Sequence, residues 1–336
     1  MDPIPLYPLR FDPLFQYRPW GGRRLADVLS LALPGEGPIG EAWILSDRDE
    51  HSSVIANGAL KGKTLGQLVI DWPRRMLGNR HEGTTRFPLL LKFLDVRAAL
   101  SVQVHPSDRQ IQYLPAGESG KTEAWIVLKT GRESLVYAGL TPRTTPELLR
   151  QALADDTIVR YLASFVPSVG DGIFIPAGTV HSLRDLVIFE VQENSNVTFR
   201  LYDWNQIDPK TCQHRPLHVE PAMACIDFMR GPVTRVVPLV EQLEPPLRER
   251  LFDCEHFRLW RLGARSPFTV GSAGTPRVLV CVAGQGRMAH DGADVRFGIG
   301  DVLLLPAEVG ACLCHPSGSV ALLEISIPRY SPDPIS

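Results

Sequence analysis

The chain has 336 residues, with 35 Lys and Arg against 37 Asp and Glu, and 44% of its residues are hydrophobic. That length suits about two domains of ~100–200 residues and supports cores that need no disulfides. The near-neutral balance argues against a dedicated nucleic-acid binder, which needs clustered cations for phosphates. The longest apolar runs, such as 87–94, fall far short of the ~20 residues of a membrane span.

Taken in chain order, Met1-Asp2-Pro3-Ile4-Pro5 has neither a basic stretch nor an apolar stretch, so no signal peptide is expected. The 29 prolines and 28 glycines are spread evenly and punctuate many short strands. Thr64-x-x-Gln67 reads as a capping box, followed by Leu65, Leu68, Val69 and Trp72 at helical spacing. Thr144-Thr145-Pro146-Glu147 opens a second helix with Leu148, Leu149, Ala152 and Leu153 on one face. Elsewhere short β-rich segments dominate.

An internal repeat sets the architecture. Residues 170–181 read Gly-Asp-Gly-Ile-Phe-Ile-Pro-Ala-Gly-Thr-Val-His, and residues 300–311 read Gly-Asp-Val-Leu-Leu-Leu-Pro-Ala-Glu-Val-Gly-Ala. Each copy is a turn, a buried strand and a reversing turn. Such units build double-sheet jelly rolls of the cupin kind. The expected fold is therefore mainly β, with two cupin-like jelly-roll barrels and a few short helices. Leu239–Pro246 is linker-like and places a boundary near 232–250. We divide the chain into a catalytic domain over 1–235 and a degenerate barrel over 236–336. The copies differ at their last position, His181 against Ala311, so the second barrel is expected to lack metal ligands.

The chemistry concentrates in the first half. Ser101-Val102-Gln103-Val104-His105 alternates, which puts Ser101, Gln103 and His105 on one strand face. Lys121 and Glu123 share a face in the same way. Gln103, His105, Glu123 and His181 form a nitrogen–oxygen donor set that suits zinc, and also Mn, Fe, Co or Ni. Lys92 interrupts the apolar run 87–94, either snorkelling from an edge strand or facing inward toward an anion. Arg200 shares a polar face with Thr198 and Tyr202, either solvent-exposed or lining a cavity that holds phosphate or a developing oxyanion. Trp20-Gly21-Gly22 and Gly40-Glu41-Ala42-Trp43 fit a sugar-site wall or ordinary core and turn roles equally. The six cysteines, at 212, 225, 254, 281, 312 and 314, read as reduced thiols in a cytoplasmic protein. Cys312 and Cys314 fit buried strand positions better than a metal clip with His315. His256, His290 and His315 show no partner pattern and read as structural.

Together, Leu100–Asp108, Gly120–Trp125, Ile175–His181, Phe199–Trp204 and Phe87–Lys92 resemble the type I mannose-6-phosphate isomerases. The likeness covers residues 5–210 well and matches the short bacterial form. It implies one Zn2+ per chain on Gln103, His105, Glu123 and His181, a catalytic Arg200, and substrate contacts from Ser101, Lys121 and Lys92. It also implies interconversion of mannose 6-phosphate and fructose 6-phosphate through an enediol or enediolate. Lys121 and Lys92 are the expected proton-transfer candidates if burial lowers their pKa values, with Glu123 less available as a ligand. Ala124 stands where relatives often carry a larger residue, which is expected to reshape the pocket slightly. The rival readings are an oxygenase-type cupin enzyme and a non-catalytic sugar-phosphate binder. The expected partner is a small sugar phosphate, with neither nucleic acid nor membrane, and the chain is expected to be a monomer or a weak homo-oligomer.

Overall fold

The computed structural model describes residues 4–79 and 84–328. The Met1–Pro3 part of the signal-peptide reading and residues 329–336 of the expected second domain lie outside the described residues. Among the described residues, strands form a ten-stranded and a nine-stranded sheet plus one small hairpin. The ten-stranded sheet is built on the long strands Glu123–Leu140 and His181–Glu193, with Leu89–Val96 beside the latter. The nine-stranded sheet is built on Arg277–His290 and Cys312–Ser326.

Each long pair bends where its register slips. The first slips between Val127 and Lys129 and between Thr130 and Leu135. The second slips between Cys281 and Ala283 and between Gly284 and Gly286. Unpaired residues at such slips kink the strand and increase its twist, so each sheet curls around its own interior as a jelly-roll barrel.

The sequence repeat is a structural repeat. Trp125 pairs with Ile173 on one side and Glu190 on the other. Leu279 pairs with Leu303 and Glu324 in the same way. Val127 N donates to Asp171 O, and Cys281 N donates to Asp301 O, at 3.0 Å in each case. The turns open on Gly170 and Gly300, with φ of 91° and 86°, a conformation that glycine adopts without penalty. Carried two residues back along the strand, this register sets Arg277 of the second barrel opposite Glu123 of the first.

Alternation then sorts side chains by face. Leu94, Trp125, Ile173, Leu183 and Ile188 form a cluster inside the first barrel. Their strand neighbours Phe93, Ala124, Ile126 and Phe189 face the other way and join Phe252, Phe257 and Leu259 in a core that spans both barrels. Ala124 therefore points away from the barrel interior and does not shape a pocket there, contrary to expectation. Arg235–Val236 still pairs with the first sheet, whereas Leu239–Gln242 pairs with the second, so the chain changes sheets between residues 236 and 239. One strand crosses over: Leu9–Arg10 pairs with Leu303–Leu304 of the second sheet.

The helices form as their end signals direct. Thr64 and Gln67 make the reciprocal capping box of the helix Leu65–Asp71. Thr145 caps the helix Pro146–Ala154, which buries Leu149 and Ala152 and leaves Leu148 exposed. This helix and the helix Val219–Cys225 cover Val102, Val104, Phe199 and Leu201. That apolar cover turns the alternate residues Gln103 and Arg200 toward the barrel interior. Cys312 and Cys314 are buried on one face of their strand while Leu313 is exposed, as alternation predicts.

Candidate active site

The first barrel holds a cavity of about 430 Å³ lined by Lys92, Ser101, Gln103, Lys121, Glu123 and Arg200, among others. His105 and His181 lie at its floor, 1% and 0% exposed. All eight residues singled out from sequence thus converge. Gln103 pairs across strands with both His181 and Arg200. Tyr202 does not join them, because a register shift between Arg200 and Tyr202 turns it toward the helical layer.

The donor set is pre-oriented. His105 Nδ1 lies 2.7 Å from Val197 O, and His181 Nδ1 lies 2.9 Å from Thr179 O. A carbonyl only accepts, so each Nδ1 carries the proton and each Nε2 presents its lone pair. Hydrogen bonds of this kind fix histidine ligands in metal sites. The two Nε2 atoms approach Glu123 at 3.5 and 3.3 Å. Burial holds both imidazoles neutral: His105 lies well below the usual histidine range, helped by the nearby Lys121, and His181 falls to about 4. His105, Glu123 and His181 place their ligand atoms within 4.8 Å of one another, a group that could hold a metal ion. Gln103 presents its amide nitrogen 3.1 Å from His181 Nε2, and turning the amide over presents its oxygen instead. In this structure the lysine ammonium takes the lone pairs that a metal would take. Lys121 Nζ sits 2.5 Å from Glu123 Oε2 and 3.1 Å from His105 Nε2. Glu123 Oε2 is buried and receives no hydrogen bond of good geometry. Neutral inward imidazoles beside such a carboxylate fit a divalent metal with nitrogen and oxygen ligands.

Around this floor the charges are paired, with one exception. Lys92 is 3% exposed and lies in a central strand, so it faces inward rather than snorkelling from an edge. It reaches Glu190 at 3.4 Å. Desolvation pulls the Lys92 pKa down against the pull of Glu190 and Glu41. For Lys121 desolvation acts the same way but is outweighed by Glu123 and Glu190, so its pKa is raised and it stays an ammonium. Glu41 is held at about 2: desolvation alone would raise it, but Lys92 and Arg18 outweigh that. Arg18 pairs with Glu41 and Arg215 with Asp203. Among the described residues Arg200 forms no ion pair, and its buried Nε has no hydrogen-bond partner. Burial, Arg215 and Arg18 push its pKa down against the pull of Asp203.

Sequence reasoning missed Glu190, which lines this cavity and is 4% exposed. Its Oε2 accepts from Trp125 Nε1 at 3.1 Å, while Oε1 has no hydrogen-bond partner. Desolvation and the nearby Glu123 raise its pKa. The signal was present: Glu190 is a lone charge in an apolar run, as Lys92 is, and the two are direct cross-strand partners. Trp20 and Glu41 also line the cavity. Gly21 and Gly40 let their two strands touch, since a Cβ on Gly21 would lie 2.4 Å from Gly40 N.

A double cupin barrel with one polar, donor-bearing interior defines the class. The family model for the phosphomannose isomerase type I catalytic domain matches residues 9–121. The mannose-6-phosphate isomerase ManA of Bacillus subtilis is 34% identical over 311 residues, covering 90% of this chain and 94% of its own length. The probable mannose-6-phosphate isomerase GmuF of the same organism is 30% identical over 315 residues, with 90% and 95% covered. A crystal structure of the Bacillus subtilis mannose 6-phosphate isomerase superposes with a TM-score of 0.87 at 26% identity, covering 96% of this chain and 100% of that one. The chain belongs to the type I mannose-6-phosphate isomerase family. Among the described residues, no helix is long and apolar enough to cross a membrane.

Proposed function

We propose that this protein is a metal-dependent aldose–ketose isomerase that interconverts mannose 6-phosphate and fructose 6-phosphate, with the work done in the 1–235 barrel and the 236–336 barrel acting as its support. The observation that carries the reading is the grouping of His105 and His181 with Glu123, which lines one cavity with Glu190 and Arg200. Gln103, His105, Glu123 and His181 would hold one zinc ion, a metal suited to this donor set. When bound, the ion supplies positive charge that stabilises oxygen charge at the reacting end of the sugar.

The chain's own groups account for the proton movement. The C2–H bond of the aldose breaks, its proton passes to the Glu190 carboxylate, and the electron pair moves through C1–C2 onto O1. The same carboxyl then returns its proton to C1 while the O2 proton passes to O1, which completes the ketose with no external oxidant. Glu190 suits the task because its Oε1 accepts no hydrogen bond, facing only the Lys92 ammonium at 3.4 Å, and its raised pKa brings it closer to working pH. Lys121, held as an ammonium by Glu123 and Glu190, is a donor and an electrostatic partner rather than the base. Arg200 supplies fixed positive charge beside the developing oxyanion. Ser101, Lys92 and Lys121 contact the substrate, whose phosphate binding orients the reacting carbons. The protein would work in the cytoplasm as a monomer or a weak homo-oligomer. An assay of zinc-loaded protein with mannose 6-phosphate, coupled to detection of fructose 6-phosphate, tests this reading. Turnover that zinc removal abolishes is expected, and no turnover with zinc bound would overturn it.

A further inference from the structure

A second nitrogen–oxygen cluster lies where the two barrels meet. It joins Asp108, in the loop after the Gln103–His105 segment, Glu193, at the end of its long strand, and His256, from the turn between two strands of the second barrel. One ligand atom from each lies within 4.8 Å of the others. They border an open cavity of about 640 Å³ that admits ions and water.

Each side chain is oriented by its remaining polar atom. Asp108 Oδ1 accepts from Gly120 N at 2.6 Å, and Glu193 Oε1 accepts from Thr122 N at 2.6 Å. His256 Nε2 lies 3.2 Å from Glu255 Oε1, while its Nδ1 faces Glu193 Oε2 at 3.3 Å. A carboxylate behind an imidazole and backbone donors behind two carboxylates are the outer partners that orient metal ligands. The cluster is also short of positive charge. Glu193 is 6% exposed and faces Asp108, and among the described residues no lysine or arginine is ion-paired with either.

We propose that Asp108, Glu193 and His256 form a second divalent-cation site, distinct from the one in the first barrel, that clamps the second barrel to the strand carrying Lys121 and Glu123. Two carboxylates and one imidazole suit Mn2+ or Zn2+, whereas Mg2+ and Ca2+ favour oxygen donors alone. The site fixes the backbone at residues 120 and 122, on either side of Lys121. It does not depend on what reaction the first barrel performs.

The test is a titration with Mn2+ of the full chain loaded with one zinc ion per chain, with free Mn2+ followed by electron paramagnetic resonance and zinc by elemental analysis. One Mn2+ bound per chain with zinc retained is expected. Asp108→Asn keeps the acceptor for Gly120 N, and it and His256→Ala should each weaken Mn2+ binding at least tenfold while zinc content holds. His181→Ala should lose zinc from the first barrel and keep the Mn2+ response, which separates this site from the other. Absence of Mn2+ binding in the wild-type chain, binding only by displacement of zinc, or unchanged binding in either cluster variant would overturn the proposal. If His256→Ala fails to fold, the wild-type stoichiometry and Asp108→Asn still decide.

Discussion

The two barrels share a register and differ in what they place inside it. The first sets Glu123 at the head of its central strand and His181 at the head of the next, around a cavity of about 430 Å³. At the matching strand position the second has Arg277, whose Nε lies 3.6 Å from Glu324, and the repeat puts Ala311 in place of His181. Glu324 occupies the place of Glu190, yet it also takes Arg248 at 3.0 Å and Gly271 N at 2.9 Å. A buried carboxylate with all its hydrogen bonds made is a structural tie, whereas one with an oxygen that accepts none, as in Glu190, is available for chemistry. The rest of the second interior is filled by Leu279, Met288, Phe297 and Leu322, which leave no room for water. The same framework therefore supports a reactive hole or a packed core, and a few inward residues decide which.

The strongest way to break this contrast is to remove a donor from the first barrel. His181→Ala or His105→Ala should abolish bound metal and lower kcat at least ~10³-fold, since the metal's charge stabilisation is worth several kcal/mol. Circular dichroism should show the fold retained, and full metal occupancy in either variant would remove that residue from the site. Next comes Glu190→Gln, which should cost ~10²–10⁴ in kcat with metal content unchanged, the scale of losing a general base. Retained kcat would return the proton-transfer role to another group. Arg200→Lys should cost ~2–4 kcal/mol of transition-state stabilisation, seen in kcat more than in KM, because the charge survives but the fork geometry does not. A rise in KM alone would make Arg200 a phosphate anchor.

The second barrel offers a smaller and sharper test. Arg277→Glu restores the carboxylate of the first barrel but sets it against buried Glu324. It should destabilise the protein by about 3 kcal/mol, the scale of an uncompensated buried charge. Denaturant unfolding reads this loss, and elemental analysis should find no ion inside the second barrel. The last test belongs to the seam between the barrels. Glu193 has its folded-state pKa raised to about 8, so the folded metal-free chain holds a proton that the unfolded chain has released. Its stabilising contribution is complete below about pH 4.5 and declines as pH rises to about 8, by at most ~1.4 kcal/mol per pH unit. Glu193→Gln should flatten that part of the stability profile, and an unchanged slope would assign it to other groups.

Much of this was legible because alternation was honoured where one strand face met apolar cover. Val102 and Val104 pack under the helices, and so Ser101, Gln103 and His105 face inward as their spacing required. Lys92 and Arg200 announced themselves as charges in apolar runs. Glu190 escaped because it lies nine residues from His181, an odd interval that strict alternation assigns to the opposite face, and the register slips between their strand and its neighbour undo that rule. Tyr202 was misplaced by a single register shift, and Ala124 by mistaking the outer face of a strand for the inner. His256 carries no local pattern at all, because its partners Asp108 and Glu193 come from the other barrel. The pairing of Leu9–Arg10 with the second sheet was equally invisible, a two-residue strand whose partner lies far along the chain.

That last pairing sets an order of events during synthesis. The strand Leu9–Arg10 leaves the ribosome well before its partner Leu303–Leu304 is made. Arg10 also waits for Asp301. The segment around Leu9 must stay without its strand partner until residue 304 has been made, and such long-range closure is slow and vulnerable to aggregation. The first barrel expressed alone would carry that unsatisfied strand permanently, together with the apolar face it shares with its neighbour. The repeat that doubled the fold has thus left two barrels that mature as one.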